Sequence, residues 1–160
     1  MSSECAAELY VHAMAIEREA AARYAELAAR MDEEGNFAAA ALFRMFSTLE
    51  AKHLGELRRR AAGMDLPPLG ADHSWRDGEG AETVRLDAHG GPVTQQKALS
   101  LALDAEKRAR AFFENASRVC GDAETRALAR EMAAEEHEHV QIIERMLEST
   151  PDARLPLILD

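Results

Sequence analysis

Two copies of the motif Glu-x-x-His are the residues of this sequence best suited to chemistry. Glu50 and His53 form the first copy, and Glu136 and His139 form the second. Residues three positions apart lie on one face of an α-helix, so each copy directs a carboxylate and an imidazole the same way. Such a pair offers two ligands to a divalent metal ion, although one copy alone is a weak signal in Glu-rich helices.

Two further glutamates lie in apolar surroundings. Glu17 comes directly after Ile16 and three residues before Ala20. Glu106 comes directly after Ala105 and three residues before Ala109. Each glutamate therefore lies on the apolar face of its own predicted helix. Burying an ionised carboxylate without a partner costs several kcal/mol. Each of these glutamates therefore predicts a nearby cation or an uptake of a proton.

The two halves of the chain repeat this arrangement. Glu17 has Tyr24 seven residues later, as Glu106 has Phe113, and each half then carries one Glu-x-x-His copy. Four carboxylates balance the charge of two divalent cations, and this pattern is typical of di-iron and di-manganese helix bundles. The predicted metal ligands are Glu17, Glu50, His53, Glu106, Glu136 and His139.

In this assignment Glu50 and Glu136 would bridge the two metals, whereas Glu17 and Glu106 would be terminal ligands. Glu135 is an alternative to Glu136, because a spacing of four residues from His139 also keeps one helical face. The competing interpretation is a solvated charged face that binds no metal. Tyr24 should point into the core and donate a hydrogen bond to a ligand carboxylate, because a buried phenol needs a partner.

Four segments of roughly 25 residues with helical periodicity position these side chains. Gly35-Asn36 and Gly121-Asp122 separate the segments within each half, and residues 63–92 hold six of the nine glycines and three of the five prolines. The predicted core stripe of the second segment is Ala41, Leu42, Met45, Phe46, Leu49, His53 and Leu57. Short links make each half an antiparallel hairpin, and the long connection can span the bundle.

The predicted fold is therefore all-α, a ferritin-like four-helix bundle with one long crossover between its second and third helices. The bundle is expected to occupy residues 1–150, with the crossover at 63–92 and a C-terminal tail at 151–160. A chain of 160 residues has enough length for one such domain and its core.

Composition excludes several classes of function. The net charge of −10 disfavours nucleic acids and anionic membranes as partners. Cys5 and Cys120 lie far apart in the sequence and form no CxxC pair, so we expect no disulfide framework and a reducing cytoplasm. His12 and His137 are expected at the surface, and the alternative for His12 is a supporting contact with the metal ligands.

Four stretches of the sequence resemble the rubrerythrin branch of the ferritin-like proteins. They are Glu17 to Tyr24, Leu49-Glu50-x-x-His53, Ala105-Glu106 to Phe112-Phe113, and Met132 to His139, and the similarity covers most of residues 5–148. The crossover segment Leu66-Pro-Pro-Leu69, with Trp75 nearby, resembles the same region of bacterial members that lack an electron-transfer domain.

The resemblance implies two Fe ions, with Mn or Zn as substitutes, that reduce hydrogen peroxide or oxidise Fe(II) with oxygen or peroxide. It also implies a separate electron-donor protein, because the four-cysteine rubredoxin domain is missing. Rubrerythrins carry a further Glu where this chain has Ala109. We also predict a homodimer. The alternatives are an iron-storage or iron-handling ferroxidase assembly and a metal-free helical interaction module.

Overall fold

Four long helices make up the computed structural model, which describes residues 2–68 and 93–149. Their bounds are α1 Ser2–Glu33, α2 Phe37–Arg60, α3 Gln95–Val119 and α4 Ala123–Ser149. The described ranges contain no strand, so the predicted all-α four-helix bundle is confirmed. The predicted tail and most of the crossover, residues 69–92, lie outside the described residues.

Local signals place the helix ends. Gly35 adopts a φ of +76°, a left-handed conformation that glycine tolerates best, and α1 ends just before it. Asn36 takes the N-cap position of α2, although its side chain makes no capping hydrogen bond. Thr94 and Asp122 do cap α3 and α4, because each accepts a hydrogen bond of 3.1 Å from the backbone amide three residues later.

Two apolar clusters establish the direction of each helix. The first contains Leu9, Leu57, Ala116 and Leu128, which come from the start of α1, the ends of α2 and α3, and the start of α4. The second contains Met31, Ala39, Leu99 and Ile143, from the opposite ends of the same helices. Helices α2 and α3 are therefore parallel, as predicted, and the connection between them joins opposite ends of the bundle.

The predicted core face of α2 was partly wrong. Met45 is 44% exposed and Ala41 is also exposed, whereas Phe43 and Leu54 are buried. Ala41 and Met45 are four residues apart, so they form a short apolar stripe that imitates a core face on the outer side of the helix. The true inner face places Glu50 at its centre.

A disulfide joins Cys5 and Cys120, whose Cα atoms are 5.9 Å apart, so the expectation of no disulfide framework was wrong. The long sequence separation of the two cysteines did not predict their distance in space. Helices α1 and α3 run in opposite directions, so the start of α1 lies beside the end of α3. The bond ties the first helical hairpin to the second. No helix among the described residues combines the length and the apolar character needed to cross a membrane.

Reducing this disulfide should destabilise the bundle. The bond closes a loop of 115 residues, so its loss frees the unfolded chain and should lower the free energy of unfolding by about 2–4 kcal/mol. Urea unfolding with and without reductant measures the change. The Cys5→Ser variant is the control, because reductant should leave its midpoint unchanged; equal midpoints for wild type in both conditions would contradict the prediction.

Candidate metal centre

All six predicted ligands converge in the middle of the bundle, between the two apolar clusters. The four glutamates, Glu17, Glu50, Glu106 and Glu136, have no exposed surface. His139 is also buried, and the side chain of His53 retains 17% exposure. Each of the four helices contributes at least one carboxylate.

The donor atoms form two overlapping groups. Glu17, Glu50 and His53 make the first group, and Glu50, Glu106, Glu136 and His139 make the second. Within each group one ligand atom of every residue lies within 4.8 Å of the others. Glu50 belongs to both groups, whereas Glu136, its predicted counterpart, belongs to the second only.

Both imidazoles turn the same nitrogen toward the carboxylates. His139 Nδ1 lies 3.0 Å from Glu50 Oε1 and 3.4 Å from Glu106 Oε2. His53 Nδ1 lies 3.5 Å from Glu50 Oε2 and 3.9 Å from Glu17 Oε2. The two rings are stacked nearly parallel with their centroids 6.1 Å apart. The sequence repeat thus appears in the structure as two matching halves around Glu50.

Burial and mutual contact perturb the acidities of these groups. Burial, together with the neighbouring Glu50 carboxylate, raises the pKa of Glu17 well above its ordinary value. Burial alone would raise the pKa of Glu50, but hydrogen bonds with Glu17, His139 and His53 outweigh it and lower that pKa. Burial opposes the charged form of His139, yet hydrogen bonds to Glu106 and Glu50 raise its pKa to about 10. The centre without metal therefore retains protons near neutral pH.

The donor set fits two divalent metal ions. Both carboxylate oxygens of Glu17 and of Glu50 are buried, and the charged groups close to them are other predicted ligands. Buried anionic oxygens of this kind need a cation, and four carboxylates match the charge of two divalent ions. Carboxylate and imidazole ligands suit iron, manganese or zinc.

Tyr24 points into the core from α1, and its hydroxyl donates a hydrogen bond to Glu106 Oε1. This bond fixes one oxygen of Glu106 and leaves the other facing His139. The ring of Tyr24 stacks on Phe43 at 5.9 Å. Phe113 occupies the related position on α3 and has no hydroxyl, so the two halves of the centre differ here.

Other residues singled out in the sequence lie away from the centre or beside it. Glu135 belongs to neither donor group and lies with one oxygen 3.6 Å from His53 Nε2. His137 is exposed next to Arg110, as expected. The surface prediction for His12 was wrong: it is buried with its ring 6.0 Å from that of Phe112, because its turn of α1 faces α3.

Phe46 was not predicted to support the centre, yet its ring lies 5.0 Å from the ring of His139. The same ring also contacts Tyr24 at 5.2 Å, so Phe46 packs between the two residues that approach Glu106. Its position four residues before Glu50, on the same helical face, was the available signal.

The fold and the buried Glu/His cluster define an all-α four-helix bundle protein with a site able to hold metal ions. A crystal structure of an uncharacterised conserved protein from Magnetospirillum magnetotacticum has the same architecture, with a TM-score of 0.80 and 32% sequence identity. The alignment covers 96% of this chain and 98% of that protein. The chain belongs to the same family as this conserved protein. Comparisons with protein-family models and with curated proteins gave no match.

Proposed function

We propose that the protein is a non-haem di-iron oxidoreductase of the rubrerythrin-like branch, which reduces hydrogen peroxide or oxidises Fe(II). The observation that carries this proposal is the sharing of Glu50 by two buried donor groups. A carboxylate has two oxygens, so one residue can bind a different ion through each. The shared residue favours two neighbouring metals, roughly 3.5–4 Å apart as in other two-metal sites, over a single ion.

Iron suits this ligand set because carboxylates and imidazoles together support both Fe(II) and Fe(III). A pair of Fe(II) ions held by these residues would supply the two electrons that, with two protons, convert one hydrogen peroxide into two waters. Mn or Zn would bind the same ligands, and zinc would not supply the electrons. Metal analysis of protein purified without chelators distinguishes these ions.

The residues of the chain perform the remaining tasks. Glu17 and Glu106, which come from different hairpins, are the terminal carboxylates of the two halves, and Tyr24 holds Glu106 in place. The complete burial of the carboxylates excludes bulk water and strengthens their electrostatic interactions. His139 Nδ1, close to three glutamates, is positioned to bind metal once it has lost its proton.

Peroxide or oxygen would be the oxidant, and a separate electron-donor protein would return the iron to Fe(II). The protein would act as a homodimer, and analytical ultracentrifugation tests this assembly.

The proposed location of the protein is the cytoplasm. The Cys5–Cys120 bond makes it testable, because a reducing compartment disfavours disulfides: alkylation of protein in freshly lysed cells would reveal its redox state.

Anaerobic loading with Fe(II), followed by parallel mixing with peroxide and with oxygen, tests the activity. We expect two Fe(II) bound per chain and a rise in ferric absorbance that is faster with one oxidant. That comparison identifies the oxidant. A shell that stores iron would continue to take up Fe(II) beyond two per chain and would appear as a large assembly. A metal-free interaction module would bind no iron in the first step.

Replacing Tyr24 with phenylalanine should slow oxidation of the bound iron by roughly 10-fold while the number of bound metals stays the same. The variant removes the hydroxyl that orients Glu106, and loss of such a supporting hydrogen bond typically costs 10–100-fold in metal affinity or activity. Stopped-flow ferric absorbance measures the rate. Tyr10, half-buried near the end of the bundle, supplies the control, because Tyr10→Phe should oxidise iron at the wild-type rate. Equal rates for wild type and Tyr24→Phe would contradict this role.

A further inference from the structure

Within residues 2–68 and 93–149, the predicted ligands of the metal centre are buried except for one. The four glutamates have no exposed surface and His139 is buried, whereas the His53 side chain is 17% exposed. His53 turns Nδ1 toward Glu50 and Glu17, and its other ring nitrogen points the opposite way. Among the described residues, His53 is therefore the place where the centre approaches the outside.

A cavity of about 20 Å³ adjoins His53 between α2 and α4. A space of roughly 10–15 Å³ holds one water molecule, so this cavity has room for one water or one small cation. Its apolar wall consists of Leu57, Leu128 and Met132. The cavity is thus too small to bind an organic substrate.

The polar wall of the cavity is acidic. Glu56, Glu131 and Glu135 contribute three carboxylates, Arg60 contributes one permanent positive charge, and the imidazole of His53 completes the polar lining. Arg60 is engaged with two of them, at 3.3 Å from Glu131 and 3.7 Å from Glu56. Arg60 forms no such ion pair with Glu135 among the contacts that line this cavity. A cleft with a net negative lining concentrates cations and speeds their association.

Glu135 connects this wall to the centre. Its side chain is 35% exposed, and one carboxylate oxygen lies 3.6 Å from His53 Nε2. This nitrogen is on the other edge of the ring from Nδ1, which is directed toward Glu50. The carboxylate therefore reaches both solvent and the outermost predicted ligand. The corresponding residue in the first half of the chain is Leu49, so the repeat provides this acidic contact on one side only.

We propose that divalent metal ions reach the centre through the cavity between α2 and α4, and that Glu135 binds each ion transiently before it passes His53. The inference rests on the proposed function, because it concerns how Fe(II) would be taken up. A transient ligand on a route accelerates binding and release together. Its removal should change rates and leave the equilibrium affinity and stoichiometry nearly unchanged.

Rapid mixing of metal-free protein with Co(II), which does not react with oxygen on this timescale, tests the route through the visible absorbance of the bound ion. Glu135→Gln keeps the side-chain size and should slow Co(II) uptake by roughly tenfold. Arg60→Gln removes the opposing charge and should accelerate uptake by roughly threefold. Glu138→Gln is the matched control, because Glu138 is exposed on α4 and does not line the cavity, and it should bind at the wild-type rate.

Equilibrium titration of the same variants separates the alternatives. Two Co(II) ions per chain with unchanged affinity in Glu135→Gln, together with slower uptake and release, support the route. Unchanged rates in that variant would overturn it, and so would a weaker affinity at an unchanged uptake rate, which would make Glu135 a ligand or a positioning residue for His53. Wild-type protein that binds no metal would overturn the proposed function itself.

Discussion

Replacing Glu50 with alanine is expected to remove both metal ions and to abolish oxidation of Fe(II). Glu50 is the one residue common to the two donor groups, so its loss would take an oxygen ligand from each of the two proposed ions. Mutation of a residue that merely supports a ligand already costs about 10–100-fold in affinity or activity, so loss of a shared ligand should cost roughly 100-fold or more. Metal analysis and the rate of ferric absorbance after peroxide or oxygen addition measure both effects.

Two variants on α4 serve as comparisons for the metal content of Glu50→Ala. Glu136→Ala removes a ligand found in the second donor group only, so we expect it to lose one ion and to retain the other weakly. Glu138→Ala removes an exposed carboxylate of the same helix and should retain both. Equal metal content in the Glu50, Glu136 and Glu138 variants would show that the buried cluster does not bind metal as proposed.

The residues of this cluster could be predicted from the sequence because the same types of potential ligand recur in both halves of the chain. Glu17 and Glu106 are conspicuous only because carboxylates are costly in apolar stripes, and the two Glu-x-x-His copies supply the remaining donors at a spacing set by the helix. The choice of Glu136 over Glu135 came from symmetry with Glu50. In the structure Glu136 has no exposed surface and Glu135 lies at the cavity wall.

What the sequence could not predict depends on packing between helices. The Cys5–Cys120 bond requires the exact juxtaposition of α1 and α3, which no spacing within one helix encodes. The inner face of α2 was ambiguous, because Ala41 and Met45 are apolar yet lie outside. His12 is buried for a related reason, since a polar residue beside an apolar stripe lies inside or outside according to the neighbouring helix.

Binding of each divalent ion should raise the melting temperature by roughly 8–16 °C. Ligand at a thousandfold excess over Kd stabilises the native state by about 4 kcal/mol, and each kcal/mol shifts the melting temperature of a chain of this size by about 2–4 °C. The physical cause is that the four buried carboxylates repel one another without metal, so that some must hold protons, whereas bound cations would attract all four. Differential scanning calorimetry of metal-free and Fe(II)-loaded protein under anaerobic conditions measures the shift.

The metal-free protein should become less stable as the pH rises from 5 to 8. Burial and the Glu50 carboxylate raise the pKa of Glu17 above 4.5, a hydrogen bond to Glu50 raises the pKa of His53 above 6.5, and that of His139 is about 10. The native state therefore holds more protons than the unfolded chain across this range, and stability falls with rising pH. The lowered pKa of Glu50 acts only below pH 4.5, outside this window.

The loaded protein should show the opposite slope, because protons compete with metal ions for the same oxygens and nitrogens. Its melting temperature should rise from pH 5 to about pH 7, where the unfolded histidines have lost their protons. Glu17→Gln is the control with a carboxamide of the same size: its metal-free form should lose the part of the slope due to Glu17 and melt higher than wild type at pH 8. Parallel curves for metal-free and loaded wild-type protein would show that these carboxylates hold no metal, since only competition between protons and ions at shared atoms reverses the sign.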